Sequence, residues 1–286
     1  MSESTPSFRL ASRALKKDDT VIKVQGQVIG ANELFLIAGP CSVESEKQLM
    51  EIAETVANCG VPFLRGGAFK PRTSPYSFQG LQKEGLRLLD QAARTYGLGI
   101  ITEVMDLSLL DTVYGHTDIL QIGSRNMKNY HFLKELGKTD KPILLKRGME
   151  ATIEEWLLAA EYILNGGNEQ VILCERGIRS FDSALRNTLD LGSMALAKEL
   201  SHLPIIVDPS QGTGRRSVVS AMSKAAVAAG ADGLMIEVHN NPDEALSDGP
   251  QSLTLSQFEN LVDDLEILSS VTGKRFEKQK TEMVDV

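Results

Sequence analysis

Eight short apolar runs, each closed by polar or charged residues and separated from the next by a stretch of helical period, decide what this chain can fold into. They are LFLIAG from Leu34, PFLRGG from Pro62, GIITEV from Gly99, DILQIG from Asp118, PILLKRG from Pro142, QVILCERG from Gln170, PIIVDPS from Pro204 and GLMIEVH from Gly233. Such Val-, Ile- and Leu-rich runs are buried on both faces, as parallel strands covered by helices are. The segments between them carry helix signals. After Ser45, the residues Leu49, Ile52, Ala53 and Val56 fall on one face, and Ser45 with Gln48 reads as a capping box. Thr152 with Glu155 forms the same box ahead of WLLAAEYIL, and Gly60, Gly97 and Gly166 stand where helices end. Eight strands alternating with helices predict an α/β fold, the TIM (β/α)8 barrel, over residues 34–272. A doubly wound open sheet would instead place a Gly-rich phosphate loop after its first strand, and GPCSVES fits G-x-G-x-x-G poorly.

Outside the barrel, VIKVQGQVIG reads as two short strands around Gln25-Gly26-Gln27, so residues 1–33 are expected to form an extension and a hairpin closing the barrel's N-terminal end. Residues 273–286, GKRFEKQKTEMVDV, read as a solvated polar tail. Thirty Lys and Arg against 38 Asp and Glu leave a net charge of −8, which argues against bulk nucleic-acid binding. No apolar run approaches the roughly 18 to 20 residues of a membrane span, and the N-terminus has no apolar targeting core, so a cytoplasmic location is expected. Cys41, Cys59 and Cys174 show no C-x-x-C spacing, and reduced thiols are expected.

In a barrel of this kind the active site lies at the C-terminal ends of the strands. Those ends carry Cys41, Arg65, Glu103, Gln121, Lys146, Glu175 with Arg176, Asp208 and Glu237. Arg65, Lys70, Arg72, Arg125, Lys146, Arg147, Arg176 and Arg179 all fall after strands of an acidic chain, which points to an anionic, phosphorylated substrate. The competing reading for any one of them is a surface cation paired with a carboxylate. Cys41 after the first strand and Glu237 after the eighth become neighbours when a barrel closes, and Asp248 lies in the following loop. They suggest a metal site, against the alternative that Cys41 is a small buried hydrophobe.

The motifs GPCSVES, RGGAFKPRTSPYSFQG, QIGSRNM, LLKRGM, CERGIRSF, DPSQGTGRR and EVHNNPDEALSDGPQSL resemble, from about residue 8 to residue 270, the short type I-beta form of 3-deoxy-D-arabino-heptulosonate 7-phosphate (DAHP) synthase. The resemblance implies a TIM barrel that condenses phosphoenolpyruvate with erythrose 4-phosphate and releases phosphate, the first step of the shikimate pathway. The nearest related family makes 3-deoxy-D-manno-octulosonate 8-phosphate and carries a K-A-N-R-type loop where this chain has Lys70-Pro71-Arg72-Thr73. Carried over by motif, Arg65, Ser124, Arg125, Lys146 and Arg176 would hold phosphoenolpyruvate, its phosphate on Arg125 and Arg176 and its carboxylate near Arg65 and Lys146. The Lys70-Pro71-Arg72-Thr73 loop would take erythrose 4-phosphate, with Arg72 and Thr73 on its phosphate. Lys70 would protonate the new alkoxide, and Glu103 would activate the attacking water.

The family binds a divalent metal through a Cys, a His, a Glu and an Asp. Cys41, Glu237 and Asp248 match, but Gln211 stands in DPSQ where the family has His, and none of His116, His131, His202 and His239 lies in that motif. A neutral amide oxygen in place of an imidazole makes the site harder, so Mn(II) is favoured over Zn(II) or Fe(II). Two alternatives stay open: a catalytically reduced phosphosugar-binding paralogue, and octulosonate-type activity, which the K-P-R-T loop disfavours. The resemblance further implies a homodimer or homotetramer and allows a non-covalent chorismate mutase partner. With residues 1–33 alone ahead of the barrel, feedback inhibition by one aromatic amino acid through a fused domain is not expected.

Overall fold

In a computed structural model, which describes residues 7–72 and 74–276, the chain opens on an antiparallel hairpin of β1 (Ile22–Val24) and β2 (Gln27–Ile29). Gln25 and Gly26 join them, both at positive φ, 48° and 72°. This is the two-residue turn whose twist matches that of the flanking strands. The eight apolar runs then become β3 (Phe35–Gly39), β4 (Phe63–Arg65), β5 (Gly99–Glu103), β6 (Ile119–Ile122), β7 (Ile143–Lys146), β8 (Val171–Glu175), β9 (Ile205–Val207) and β10 (Gly233–Glu237). They pair in parallel and in sequence order, and β10 closes on β3 to complete the barrel. Around it stand α1 (Glu46–Asn58), α2 (Lys83–Tyr96), α3 (Leu110–Tyr114), α4 (Tyr130–Leu136), α5 (Ile153–Asn165), α6 (Leu191–Leu200), α7 (Pro209–Thr213), α8 (Arg216–Ala228) and α9 (Leu255–Val271).

Strand alternation sorts the core into two layers. Phe35, Ile37, Phe63, Ile101, Ile119, Leu144, Ile172, Cys174, Ile206 and Met235 fill the barrel, and Ile22 and Ile29 of the hairpin close its floor. The opposite parity, including Leu36, Ala38, Leu64, Leu145 and Leu173, packs outward against Leu49, Ile52, Val56, Leu89 and Trp156 of the helices. Each fully buried side chain of this size contributes about 1.5–3 kcal/mol of transfer free energy. No helix among the described residues is long and apolar enough to cross a membrane.

Three details depart from the sequence reading. Ser45 does cap α1 by accepting the Gln48 N–H at 3.1 Å, but the Gln48 side chain turns away from the cap. Its oxygen accepts the Glu44 N–H and its amide donates to the Ser42 carbonyl, each at 3.1 Å, so it pins the loop after β3. The Thr152–Glu155 box is complete, whereas Gly166 has a right-handed φ of −75° and the left-handed position passes to Gly167. The start of the expected tail is docked: the Arg275 N–H donates to Asn32 and Arg275 accepts from Leu34, with Lys274 on Asp232 at 2.7 Å. The rest of that tail, 277–286, lies outside the described residues.

Candidate active site

Because side chains alternate along a strand, the residue two beyond an interior side chain emerges on the same side at the barrel mouth. In this way Phe63 is followed by Arg65, Ile101 by Glu103, Ile119 by Gln121, Leu144 by Lys146, Cys174 by Arg176, Ile206 by Asp208 and Met235 by Glu237. The core ends and a polar cleft of about 330 Å³ begins. Arg65, Glu103, Gln121, Lys146 and Glu237 line it from the strands, Gln211 from α7, and Cys41, Lys70, Pro71, Arg72, Gly123, Ser124, Arg125, Met149, Arg176, Arg186 and Asp248 from the loops. Seven cations face three carboxylates there, within a chain of net charge −8. Such a concentration of like charge calls for anionic ligands.

On one side of the cleft the cations are held in place yet left short of partners. Lys146 Nζ lies 2.5 Å from Asp208 Oδ2 and donates to Gln211 Oε1 at 3.1 Å. Burial would push the Asp208 carboxyl up, but the Lys146 charge and hydrogen bond, with the Gln211 N–H, hold it below the usual carboxylate range. Arg65 donates through Nη1 to the Pro40 carbonyl at 2.8 Å, and Arg72 through Nε to Phe78 at 3.1 Å. Burial lowers the affinity of Arg176 for its proton. Among the described residues, the buried side-chain polar atoms without a partner include Arg65 Nε, Arg72 Nη2, Arg176 Nε, Ser124 Oγ and Glu103 Oε1, all from residues lining this cleft. Buried donors are rarely left unmade, so the arrangement reads as a receptor for acceptor-rich ligands.

On the other side, one ligand atom each from Cys41, Glu237 and Asp248 lie within 4.8 Å of one another. Cys41 Sγ is 3.2 Å from Asp248 Oδ2, and Lys70 Nζ donates at 3.0 Å to both the sulfur and the carbonyl of Cys41. Burial pushes the Cys41 thiol up, with Lys70 opposing, and burial likewise raises Glu237 against the pull of Arg65. At Asp248 burial also raises, but Arg186 and the Cys41 hydrogen bond outweigh it and the carboxyl is held low. A thiol and two carboxylates crowded together in a low-dielectric site are resolved by a divalent cation, so the donor set fits one. His239 is no substitute for the missing imidazole. Its Nδ1 accepts the Asn241 N–H at 3.0 Å and its Nε2 lies 3.3 Å from Glu44 Oε2.

Not every expected residue reaches the cleft. Arg147 and Glu175 have the outward parity and pair at 2.7 Å behind the barrel wall, the guanidinium 5.9 Å from the Trp156 ring and 3.3 Å from Asp190. Arg179 pairs with Glu150 at 2.8 Å on the surface. For Arg179 the surface ion-pair reading holds, whereas Arg147 is paired with a carboxylate but buried. Thr73 lies outside the described residues. Arg186, Met149 and Gln251 were not anticipated. Arg186 stands far beyond β8, and the bridge between Ile178 and Thr188 returns its segment toward the mouth.

The chain matches the DAHP synthetase I family over residues 19–273. It is 50% identical to phospho-2-dehydro-3-deoxyheptonate aldolase of Thermotoga maritima, over 93% of this chain and 79% of that protein. It is 32% identical to 2-dehydro-3-deoxyphosphooctonate aldolase of Alkalilimnicola ehrlichii, over 86% of this chain and 95% of that one. The crystal structure of the Thermotoga maritima DAHP synthase superposes with a TM-score of 0.93 at 48% identity, covering 96% of this chain and 82% of that one. A truncated form of the Thermotoga maritima enzyme superposes with a TM-score of 0.89 at 46% identity, covering 95% and 100%. A closed barrel whose interior parity ends in a cation-rich cleft beside a thiol and two carboxylates is thus accounted for by descent as well as by physics: the chain belongs to the DAHP synthetase I family.

Proposed function

We propose that this protein condenses phosphoenolpyruvate with erythrose 4-phosphate and water to give 3-deoxy-D-arabino-heptulosonate 7-phosphate and inorganic phosphate. The observation that carries the reading is the set of orphaned buried polar atoms on Arg65, Arg72, Ser124, Arg176 and Glu103, which face a single cleft. Two highly charged phosphorylated substrates repel each other, and fixed guanidinium forks offset that repulsion while orienting them. Arg125, Arg176 and Ser124 take the phosphate of phosphoenolpyruvate, and Arg65 with Lys146 its carboxylate. Lys70, Pro71 and Arg72, with Thr73, form the erythrose 4-phosphate seat. The 50% identity to a heptonate aldolase against 32% to an octonate aldolase, together with the Lys70-Pro71-Arg72 sequence, favours the four-carbon substrate.

C3 of phosphoenolpyruvate attacks the aldehyde carbon, and Lys70, already beside Cys41, delivers a proton to the oxygen that becomes the new hydroxyl. Glu103, whose Oε1 has no protein partner, takes a proton from the water that adds at C2. Cleavage of the C2–O bond then expels phosphate onto the Arg125 and Arg176 side and leaves the ketone. Cys41, Glu237 and Asp248 would hold a divalent cation, which when bound would supply Lewis-acid polarisation of the aldehyde. Gln211 lines the same cleft, and its amide oxygen keeps one lone pair beyond that given to Lys146. This harder, neutral donor favours Mn(II) over Zn(II) or Fe(II).

The test is phosphate release from the two substrates by metal-stripped protein, then with Mn(II), Zn(II) or Fe(II) restored. Activity returning with Mn(II) supports the synthase. Tight phosphoenolpyruvate binding with no turnover under any metal, and turnover restored by Gln211→His, would instead identify a phosphosugar-binding paralogue. Arabinose 5-phosphate serves as the competing aldehyde. Assembly as a dimer or tetramer is expected from the family resemblance and is read by sedimentation.

A further inference from the structure

Arg186 is one of the cations of the cleft that no substrate role has claimed, and its guanidinium is already committed. Nη1 donates to Gln251 Oε1 at 2.7 Å and to Asp248 Oδ1 at 3.2 Å. The buried Gln251 amide in turn donates from Nε2 to Glu237 Oε2 at 2.8 Å. Chemistry fixes the direction of this relay. A guanidinium can only donate, so the amide oxygen must face Arg186, and the NH2 must then face Glu237. Gln251 thus holds the carboxylate by Oε2, while Oε1 lies 3.6 Å from Arg65 Nη1, so the Glu237 headgroup is oriented from both sides.

The relay also joins two loops that sequence keeps apart. The Arg186 N–H donates to Thr213 at 3.0 Å, and Asn187 Nδ2 donates to the Gln211 carbonyl at 3.0 Å, so the segment after β8 is tied to α7. Gln251 lies in the loop after β10, three residues past Asp248, which itself sits in the left-handed region at φ 53°. Arg186 Nη1 and the Cys41 thiol both reach the Asp248 carboxylate there, at 3.2 Å each.

We propose that Arg186 and Gln251 are positioning residues of the metal centre. Acting in series, they fix the orientation of the Glu237 carboxylate, and Arg186 directly offsets the charge of Asp248. This rests on the reading of Cys41, Glu237 and Asp248 as a cation site. Partners behind metal ligands of this kind are worth about 10- to 100-fold in affinity.

The experiment is calorimetric titration of Mn(II) into metal-stripped protein, parallel to the visible spectrum of the Co(II)-loaded form. Gln251→Leu and Arg186→Ala are each expected to weaken Mn(II) about 10- to 100-fold and to change the Co(II) bands. The double variant should be no weaker than the poorer single, because one chain of bonds is being cut. Arg186→Lys, with one donor group in place of a fork, should fall between. Phosphoenolpyruvate affinity without metal should stay at the parental value, which separates positioning of the centre from general damage to the cleft. Single variants that bind Mn(II) within threefold of the parent, or effects that multiply in the double, would overturn the relay. A parent that binds no Mn(II) overturns the cation site itself and the relay with it, a distinct result.

Discussion

Gly123→Ala isolates the contribution of one carboxylate oxygen. A Cβ at Gly123 would stand 2.1 Å from Glu103 Oε1 and 3.0 Å from its carboxyl carbon. Non-bonded carbon and oxygen atoms settle at about 3.4 Å, so the oxygen must retreat by roughly 1.3 Å. The backbone offers no resistance, since φ −66° and ψ 152° are open to alanine. Restricting the unfolded chain even adds about 0.4–1 kcal/mol of stability. Against this, pushing the Glu103 side chain off its rotamer costs about 0.5–1.5 kcal/mol. The two nearly cancel, and the melting temperature should move by no more than about 2–4 °C. Catalysis should not escape so lightly: a misplacement of about 1 Å in a reacting group costs on the order of 100-fold. Steady-state phosphate release should therefore show kcat down by about two orders of magnitude with phosphoenolpyruvate binding unchanged, approaching Glu103→Gln. A variant with parental kcat and parental melting temperature would show that the water-activating group is not the carboxylate at this position. A collapse in melting temperature would show that the backbone, not the side chain, takes up the clash.

Three other perturbations probe different parts of the structure. Gln211→His should raise Zn(II) affinity relative to Mn(II) by at least about tenfold, an imidazole being a better donor to the softer ion; an unchanged ratio in competition titrations would place residue 211 outside the metal's reach. Arg147→Met leaves the fully buried Glu175 facing only the Gly177 N–H at 2.6 Å, and breaking such a pair costs about 3–5 kcal/mol. The loss should appear in urea unfolding and be largely recovered in Arg147→Met/Glu175→Leu; a single variant within 1 kcal/mol of the parent refutes it. Asp190 caps α6 and lies 3.3 Å from Arg147, and although burial raises its carboxyl, the Ser193 hydrogen bonds and Arg147 hold it low. A depressed folded value stabilises above the unfolded pKa of about 3.9 and is lost as pH falls through the folded one. Asp190→Asn should thus cost about 0.5–1 kcal/mol near pH 7 and nothing at the acid end, whereas a pH-independent gap would contradict the assignment.

Parity explains both what could be read from the residues and where such reading stops. The apolar runs of β4, β5, β7 and β10 declare their inward series through Phe63, Ile101, Leu144 and Met235, and Arg65, Glu103, Lys146 and Glu237 are the next members of those series. Arg147 and Glu175 are each one residue out of phase. A residue one step off faces the helices, so their charges had to find each other at 2.7 Å behind the wall instead of a ligand in front of it. Strand period alone would have set them aside. Gln48 fails for another reason: the capping signal is local, but the Glu44 and Ser42 backbone groups it satisfies belong to the loop that presents Cys41, and a buried backbone group outbids a solvated cap. Arg186 and Gln251 carry no local signal at all. They belong to loops after different strands, and only closure of the barrel, which sets the β10 loop across from the segment returning along Ile178, brings donor to acceptor. Glu237 at a strand end and Cys41 and Asp248 in the adjoining loops can be read in one dimension, whereas the bonds that orient them are a property of loop against loop.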